Sequence, residues 1–338
     1  MINIGIIGAG RIGKLHAESI TYHIKEAAVL AVADPKTDEA VSEWAKGLGI
    51  KKIYSDYHQI LDDSSIQAVL ICSSTDTHAD IAVEAIKAGK HIFCEKPVSQ
   101  DLAKIRQVME ALKDSKVKFQ VGFNRRFDHN FEAVRNAVAE GRIGDVHIVK
   151  ITSRDPAAPP LEYVKVSGGM FLDMTIHDFD MVRYLTSSEA AEVYASGAAL
   201  VNPAIKDAGD IDTVVITIKL ANGALAVIDN SRKADYGYDQ RAEVFGSKGQ
   251  VAVPNDSNST AVISTADGVT GEKPLYFFLE RYMASFSKEI SLFVQAIIHD
   301  TDVPVNINDG LQPVLMAKAA KKSLDENRPV KLSEITME

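Results

Sequence analysis

Asp173 and His177 stand four residues apart in Gly168-Gly169-Met170-Phe171-Leu172-Asp173-Met174-Thr175-Ile176-His177-Asp178. On a helix that spacing turns both side chains to one side. A carboxylate beside an imidazole holds the ring in one tautomer and raises its basicity, which prepares a general base near neutral pH. Two preceding glycines mark a place where the backbone turns or approaches a ligand closely. The same pair also fits an ordinary exposed polar contact, so the elements around it must decide between the two readings.

The strongest of those elements opens the chain. Asn3-Ile4-Gly5-Ile6-Ile7 is a short apolar run of the kind that forms a buried parallel strand. It leads into Gly8-Ala9-Gly10-Arg11-Ile12-Gly13, and helical spacing follows from Lys14. A GxGxxG set between strand and helix is the context a dinucleotide site requires. Gly8 permits the tight turn, Gly10 lets the backbone approach a pyrophosphate, and Gly13 permits close helix–strand packing. The phosphates are expected at the N-terminus of the helix that follows, where free N–H groups favour negative charge. The next strand, Val29 to Ala33, ends in Asp34, at the distance that suits a carboxylate accepting from the adenosine ribose hydroxyls. An unscreened Asp34 repels a 2′-phosphate, so NAD is expected over NADP, with Lys36 the one neighbour that works the other way.

The chain has 338 residues, enough for about two domains and a sizeable core. Its apolar content of 46% and charged content of 25% are ordinary for a globular protein. A net charge of −9 without a basic run argues against nucleic acid and anionic membrane as partners. No apolar run is long enough to span a bilayer, and no charged-then-apolar leader follows Met1. The two cysteines, Cys72 and Cys94, sit in apolar strand-like runs and read as buried free thiols in a reducing cytoplasm. No Cys/His pattern matches structural zinc, and no metal is expected.

Strands and helices alternate through the first third. Helices are expected at 37–48, 57–61, 76–87 and 101–113, and strands at 52–54, 68–72, 91–95 and 118–122. This is the grammar of an α/β Rossmann domain, a doubly wound parallel sheet covered on both faces, assigned to residues 1–122. Ligands of such sheets bind beyond the carboxyl ends of the strands, which here carry Gly8, Asp34, Ser73, Glu95-Lys96 and Phe123-Asn124-Arg125-Arg126. From 123 to 338 the pattern becomes that of an α+β domain. After a helix at 131–140 come strands at 146–152, 191–200, 213–220, 224–230, 240–245 and 250–253, with a hairpin turn at Asn222-Gly223. A large, mainly antiparallel sheet with one open face is expected, and an open face commonly becomes a subunit interface. Helices at 282–299 and 310–327 close the chain.

Together, Gly8 to Gly13, Glu95-Lys96-Pro97 and the Gly168 to Asp178 segment resemble the Gfo/Idh/MocA oxidoreductases. The resemblance covers the whole chain, including Asp309-Gly310 and Pro329 to Leu332 near the end. Within the family, Ser153 to Pro156, Thr175 to Asp180 and Tyr236 to Arg241 look most like the inositol 2-dehydrogenases. One departure stands out: Ser73-Ser74 precedes His78 where the family usually has Thr-Pro.

The resemblance implies NAD-dependent oxidation of myo-inositol to 2-keto-myo-inositol in a cytoplasmic homotetramer. His177 is the expected base, Asp173 its support or a substrate ligand, and Lys96 a donor that stabilises developing alkoxide charge. Whether the Lys96–Pro97 bond is cis is left open. The cofactor set is Gly8, Gly10, Arg11, Ile12, Gly13, Asp34, Ser73, Ser74, His78, Glu95, Lys96 and Asn124. Substrate contacts are expected from Lys96, Arg126, Asp155, Asp173, His177, Asp180 and Tyr236. The alternatives are another inositol isomer, an aldose or a deoxy-sugar, with NADP as a possible coenzyme, and a non-catalytic NAD-binding sensor. Retention of both Lys96 and His177 argues against the sensor.

Overall fold

The computed structural model describes residues 1–337. In chain order the elements are β1 (Ile2–Ile7), α1 (Arg11–His23), β2 (Ala27–Ala33), α2 (Glu39–Gly47), β3 (Lys52–Tyr54), α3 (His58–Leu61), β4 (Ala68–Ile71), α4 (His78–Lys87), β5 (His91–Glu95), α5 (Leu102–Leu112), β6 (Phe119–Gly122), α6 (His129–Ala139), β7 (Val146–Arg154), α7 (Leu161–Val164), α8 (Gly169–Asp173), α9 (Ile176–Thr186), β8 (Ala190–Ala198), α10 (Pro203–Asp207), β9 (Thr213–Leu220), β10 (Leu225–Ser231), β11 (Asp239–Gly246), β12 (Gly249–Val253), β13 (Val262–Thr265), β14 (Gly268–Gly271), α11 (Phe278–Arg281), α12 (Met283–His299), α13 (Ile307–Glu326) and β15 (Val330–Lys331). The chain divides into two compact units. One holds Met1–Asn124 with Ala284–Gln312, the other Arg125–Met283 with Pro313–Thr336.

The first unit is built on a six-stranded parallel sheet in the order β3-β2-β1-β4-β5-β6. Its central strands are apolar on both faces: Ile4, Ile6, Val69, Leu70, Phe93 and Cys94 are all fully buried. That matches a sheet clad by helices on either side. Ile290, Phe293 and Val294 of α12 join Ile4, Ile6, Leu70 and Phe93 in one core cluster. The last stretch of this core therefore comes from a segment far along the chain.

The second unit carries a seven-stranded sheet in the order β12-β11-β7-β10-β9-β8-β15. Its strand pairs are antiparallel except β7 with β10, which run parallel. The Asn222-Gly223 turn joins β9 and β10 as a hairpin, with Gly223 at φ +90° where a side chain would be strained. Strict alternation of buried and exposed residues along β9 leaves one face open. Val215, Leu225 and Phe245 are among the exposed apolar residues of these strands.

The helix expected to carry Asp173 and His177 together is broken between them. α8 ends at Asp173 and α9 starts at Ile176. At the break the Met174 and Thr175 N–H groups both donate to the Met170 carbonyl, and the Thr175 hydroxyl donates to Asn230 of β10. A side-chain bond to the neighbouring sheet thus competes with regular helical pairing. The β13–β14 hairpin, unanticipated in sequence, is exposed along its whole length and so carries no pattern of buried residues.

Candidate active site

In the first unit the β1–α1 turn forms the glycine-rich loop. Gly8 lies at φ +103°, and a Cβ there would meet the Cys72 carbonyl group at 2.6 Å. A Cβ on Gly13 would sit 1.9 Å from the Gly8 carbonyl oxygen, so helix and loop can approach only because both residues are glycine. A Cβ on Gly10 would meet nothing within 4 Å. The loop is open on the side where a phosphate would approach, at the N-terminus of a thirteen-residue helix. Asp34, at the end of β2, accepts the Ala9 N–H at 2.7 Å and the Lys36 N–H at 2.8 Å. These residues fit a dinucleotide.

Neighbouring strand ends supply the rest of the rim. Ser73 and Thr77 hydroxyls lie 2.7 Å apart, and Ser74 is exposed. His78 is buried, with Nδ1 2.9 Å from the Pro97 carbonyl and Nε2 3.0 Å from the Ser73 carbonyl. Its ring ties the end of β4 to the Lys96-Pro97 turn, whose peptide bond is cis. The Glu95 carboxylate lies 2.7 Å from Nε2 of the buried His16. Asn124 is buried and Arg11 is exposed at the start of α1.

The second unit gathers the acids. Asp173, closing α8, accepts from the Tyr163 hydroxyl at 2.9 Å and pairs with the Arg232 guanidinium at 2.9 Å. Asp155, just past β7, faces the other guanidinium nitrogen at 3.5 Å. Arg232 is 4% exposed and thus joins two carboxylates in a space nearly closed to water. Burial pushes the Asp155 carboxyl up to about 6, against the opposing pull of Arg232, while the Asp173 charge adds to the rise. His177 lies in the first turn of α9, half-buried, with its Nδ1 atom inside.

The remaining expected substrate residues are committed to protein partners. Arg126 binds Asp180 through two nitrogens, at 2.9 and 2.6 Å, with Asp180 fully buried and the guanidinium over the Tyr184 ring. Tyr236 donates to Asp239 at 2.5 Å and accepts from Arg154 at 3.2 Å on an exposed edge. Beneath α9, Asp178 is buried between Arg125 at 2.6 Å and Asn230 at 2.9 Å, a pairing that anchors the helix carrying His177. Burial raises the Asp178 carboxyl, with Arg125 opposing the rise.

Comparison with known proteins places the two halves. Residues 2–123 match a profile described as an oxidoreductase family with an NAD-binding Rossmann fold, and residues 131–252 match the GFO/IDH/MocA C-terminal domain. The chain belongs to the GFO/IDH/MocA oxidoreductases. It is 48% identical to a myo-inositol 2-dehydrogenase of Thermotoga maritima, covering 99% of each chain. It is 46% identical to an inositol 2-dehydrogenase of Rhizobium meliloti, covering 98% of this chain and 99% of the relative. Among solved structures it resembles a scyllo-inositol dehydrogenase of Lactobacillus casei with bound NAD(H) and scyllo-inositol. That match has a TM-score of 0.92 and 32% identity and covers 98% and 99% of the two chains.

In this GFO/IDH/MocA oxidoreductase, Arg232 and Tyr163 join the candidate site through their bonds to Asp155 and Asp173, and sequence reading did not single them out. Arg232 sits in Ser231-Arg232-Lys233, which reads as an ordinary charged turn after a strand. Its one distinguishing signal is position, at the end of β10 beside the Ser153-Arg154-Asp155 end of β7. That adjacency exists only in the folded sheet.

Proposed function

We propose that the chain oxidises myo-inositol to 2-keto-myo-inositol with NAD as hydride acceptor. The observation that carries this reading is the Asp155–Arg232–Asp173 cluster beside His177. It concentrates short, charged hydrogen-bonding groups of the kind a ring bearing a hydroxyl on every carbon requires. The full-length similarity to inositol dehydrogenases supports the same class.

His177 takes the hydroxyl proton as the alcohol carbon is oxidised, and Asp173 holds substrate or orients the ring. Lys96, at the end of β5, donates to the reacting oxygen and stabilises its developing negative charge. Asp155, ionised above about pH 6, accepts from a ring hydroxyl. Arg126, Asp180 and Tyr236 are weaker candidates for direct contact, since each is bound to a protein partner. When bound, NAD supplies the carbon that receives the hydride. Gly8, Gly10, Arg11, Ile12, Gly13 and Asp34 hold it, with Ser73, Ser74, His78, Glu95, Lys96 and Asn124 along the rim. The Asp34 carboxylate selects against a 2′-phosphate, which favours NAD over NADP.

In this reading residues 1–122 serve the cofactor, and 123–338 serve substrate and assembly. The open sheet face with Val215, Leu225 and Phe245 is the proposed contact of a cytoplasmic homotetramer. No helix among the described residues is long and apolar enough to cross a membrane. A second reading, scyllo-inositol as the preferred isomer, is favoured by the ligand of the Lactobacillus casei structure. A steady-state NADH assay over inositol isomers and simple sugars tests both. Absence of NADH with every inositol isomer, alongside activity on an aldose, overturns the proposal.

A further inference from the structure

Glu289 of α12 is fully buried, and neither of its carboxyl oxygens meets a hydrogen-bond partner. It belongs to the first unit, where its carboxyl comes together with His16 of α1 and Glu95 of β5. One ligand atom from each of the three lies within 4.8 Å of the others. The surroundings are built to hold this cluster. His16 is fully buried, edge-on to Phe93 and Phe286 with ring centroids at 5.2 and 5.7 Å. Gly122, the β6 residue paired with Glu95, leaves the space the Glu95 carboxyl occupies: a Cβ there would lie 3.2 Å from it. Gln120 of β6 donates to the Glu289 backbone carbonyl at 2.9 Å and fixes α12 at this residue.

The distribution of protons follows from which atoms have partners. His16 Nε2 faces the Glu95 carboxylate at 2.7 Å, whereas His16 Nδ1 is buried with no partner. An N–H at Nδ1 would find no acceptor there, so Nε2 is the nitrogen whose proton faces the Glu95 carboxylate. Glu95 then carries the negative charge. An ionised Glu289 would bury a second one with no cation beside it, a cost that drives a carboxyl to keep its proton. Burial and the Glu95 charge both push Glu289 well above the ordinary glutamate range. The other titratable groups around the cluster are the thiols of Cys72 and Cys94, which burial also keeps protonated.

We propose that Glu289 is a positioning residue, a neutral carboxylic acid whose retained proton lets α12 pack against the His16–Glu95 pair without a second buried charge, and so steadies the strand end from which Lys96 projects. The part concerning Lys96 rests on the function proposed above; the part concerning the proton does not.

Infrared spectroscopy of the full chain at neutral pH reads the proton directly. The protonated carboxyl C=O band, sensitive to D2O, should be present and should vanish in Glu289→Gln. In Glu95→Gln the repulsion is gone, so the same band should titrate away at lower pH than in the parent. In turnover, Glu289→Leu should lower kcat by on the order of 10–100-fold, as small displacements of a reacting group do. Glu289→Gln, neutral and still able to donate, should restore most of that. A parent spectrum without the band, equal losses for Gln and Leu, or one stoichiometric metal ion per chain by mass spectrometry would each overturn the proposal. Absence of activity on any inositol with the band intact would instead refute the functional reading and leave the proton assignment standing.

Discussion

Two clusters in this molecule each bury a pair of carboxyl groups, and they manage the charge in opposite ways. In the second unit Arg232 pairs with both Asp155 and Asp173, and its charge opposes the rise that burial imposes on Asp155. In the first unit the Glu289 carboxyl has no hydrogen-bond partner among the described residues, and in our proposal a retained proton takes the place of a counter-ion. An arginine gives a site that presents charge to a polar ligand and titrates near neutrality. A proton gives a dry support whose charge stays constant over the working pH range. In the reading proposed here the same residue types serve as ligands in one place and as scaffolding in the other, and the presence of a guanidinium separates the two.

The largest effects should come from the groups assigned to the chemistry. His177→Ala and Lys96→Met should each lower kcat by about 10²–10⁴-fold, the range of a general base or a positioned donor, while NAD affinity stays within a few-fold by fluorescence titration. Near-parental turnover in His177→Ala would remove it as the base. Next in size, Arg232→Leu should destabilise the fold by about 3–5 kcal/mol, because it leaves two carboxylates buried without their cation. Chemical denaturation measures this. The contrast between the clusters collapses if Arg232→Leu proves as stable as the parent.

A tenfold effect is expected at Asp155. Its carboxyl titrates at about 6, so it is protonated below that pH and ionised above. The parent kcat/KM should fall on the acid side of pH 6, and Asp155→Asn should sit about tenfold lower, equivalent to about 1.4 kcal/mol, with that acid limb flattened. An acid limb unchanged in Asp155→Asn assigns it to another group.

The effect expected at Glu289 is the sharpest discriminator. Folded Glu289 retains a proton that the unfolded chain releases, so the parent should lose stability as pH rises above the ordinary glutamate value. Glu289→Gln removes that slope. Its stability relative to the parent should therefore improve from pH 5 to pH 8, by an amount thermal unfolding at several pH values can read. Parallel pH profiles for the two proteins would place Glu289 in the same charged class as Asp155.

Local features were legible in the chain. The strand–Gly8-x-Gly10-x-x-Gly13–helix unit and the Asn222-Gly223 hairpin each depend on a few adjacent residues. So do the apolar runs of the parallel sheet, and they form as read. What depends on distant neighbours was not legible. The β7–β10 parallel pair, which brings Arg232 to Asp155, joins strands separated by two others in sequence. The break between Asp173 and His177 comes from Asn230 on β10, a partner outside the segment. Glu289 did leave a signal: it follows Phe286 by three residues and precedes Phe293 by four, an acid on the apolar face of its helix.

The core of the NAD-binding half is completed by Ile290, Phe293 and Val294, which follow all but the last strand of the other unit's sheet in the chain. During synthesis, at roughly 5–20 residues per second, α12 leaves the ribosome on the order of 10 s or more after β6. Until then Ile4, Ile6 and Phe93 have only the partial cover that Ala17, Ile20, Val41 and Ala45 of α1 and α2 give them. A chain cut after Asn124 would keep that gap, so the dinucleotide half should be less stable alone than with the late helix in place.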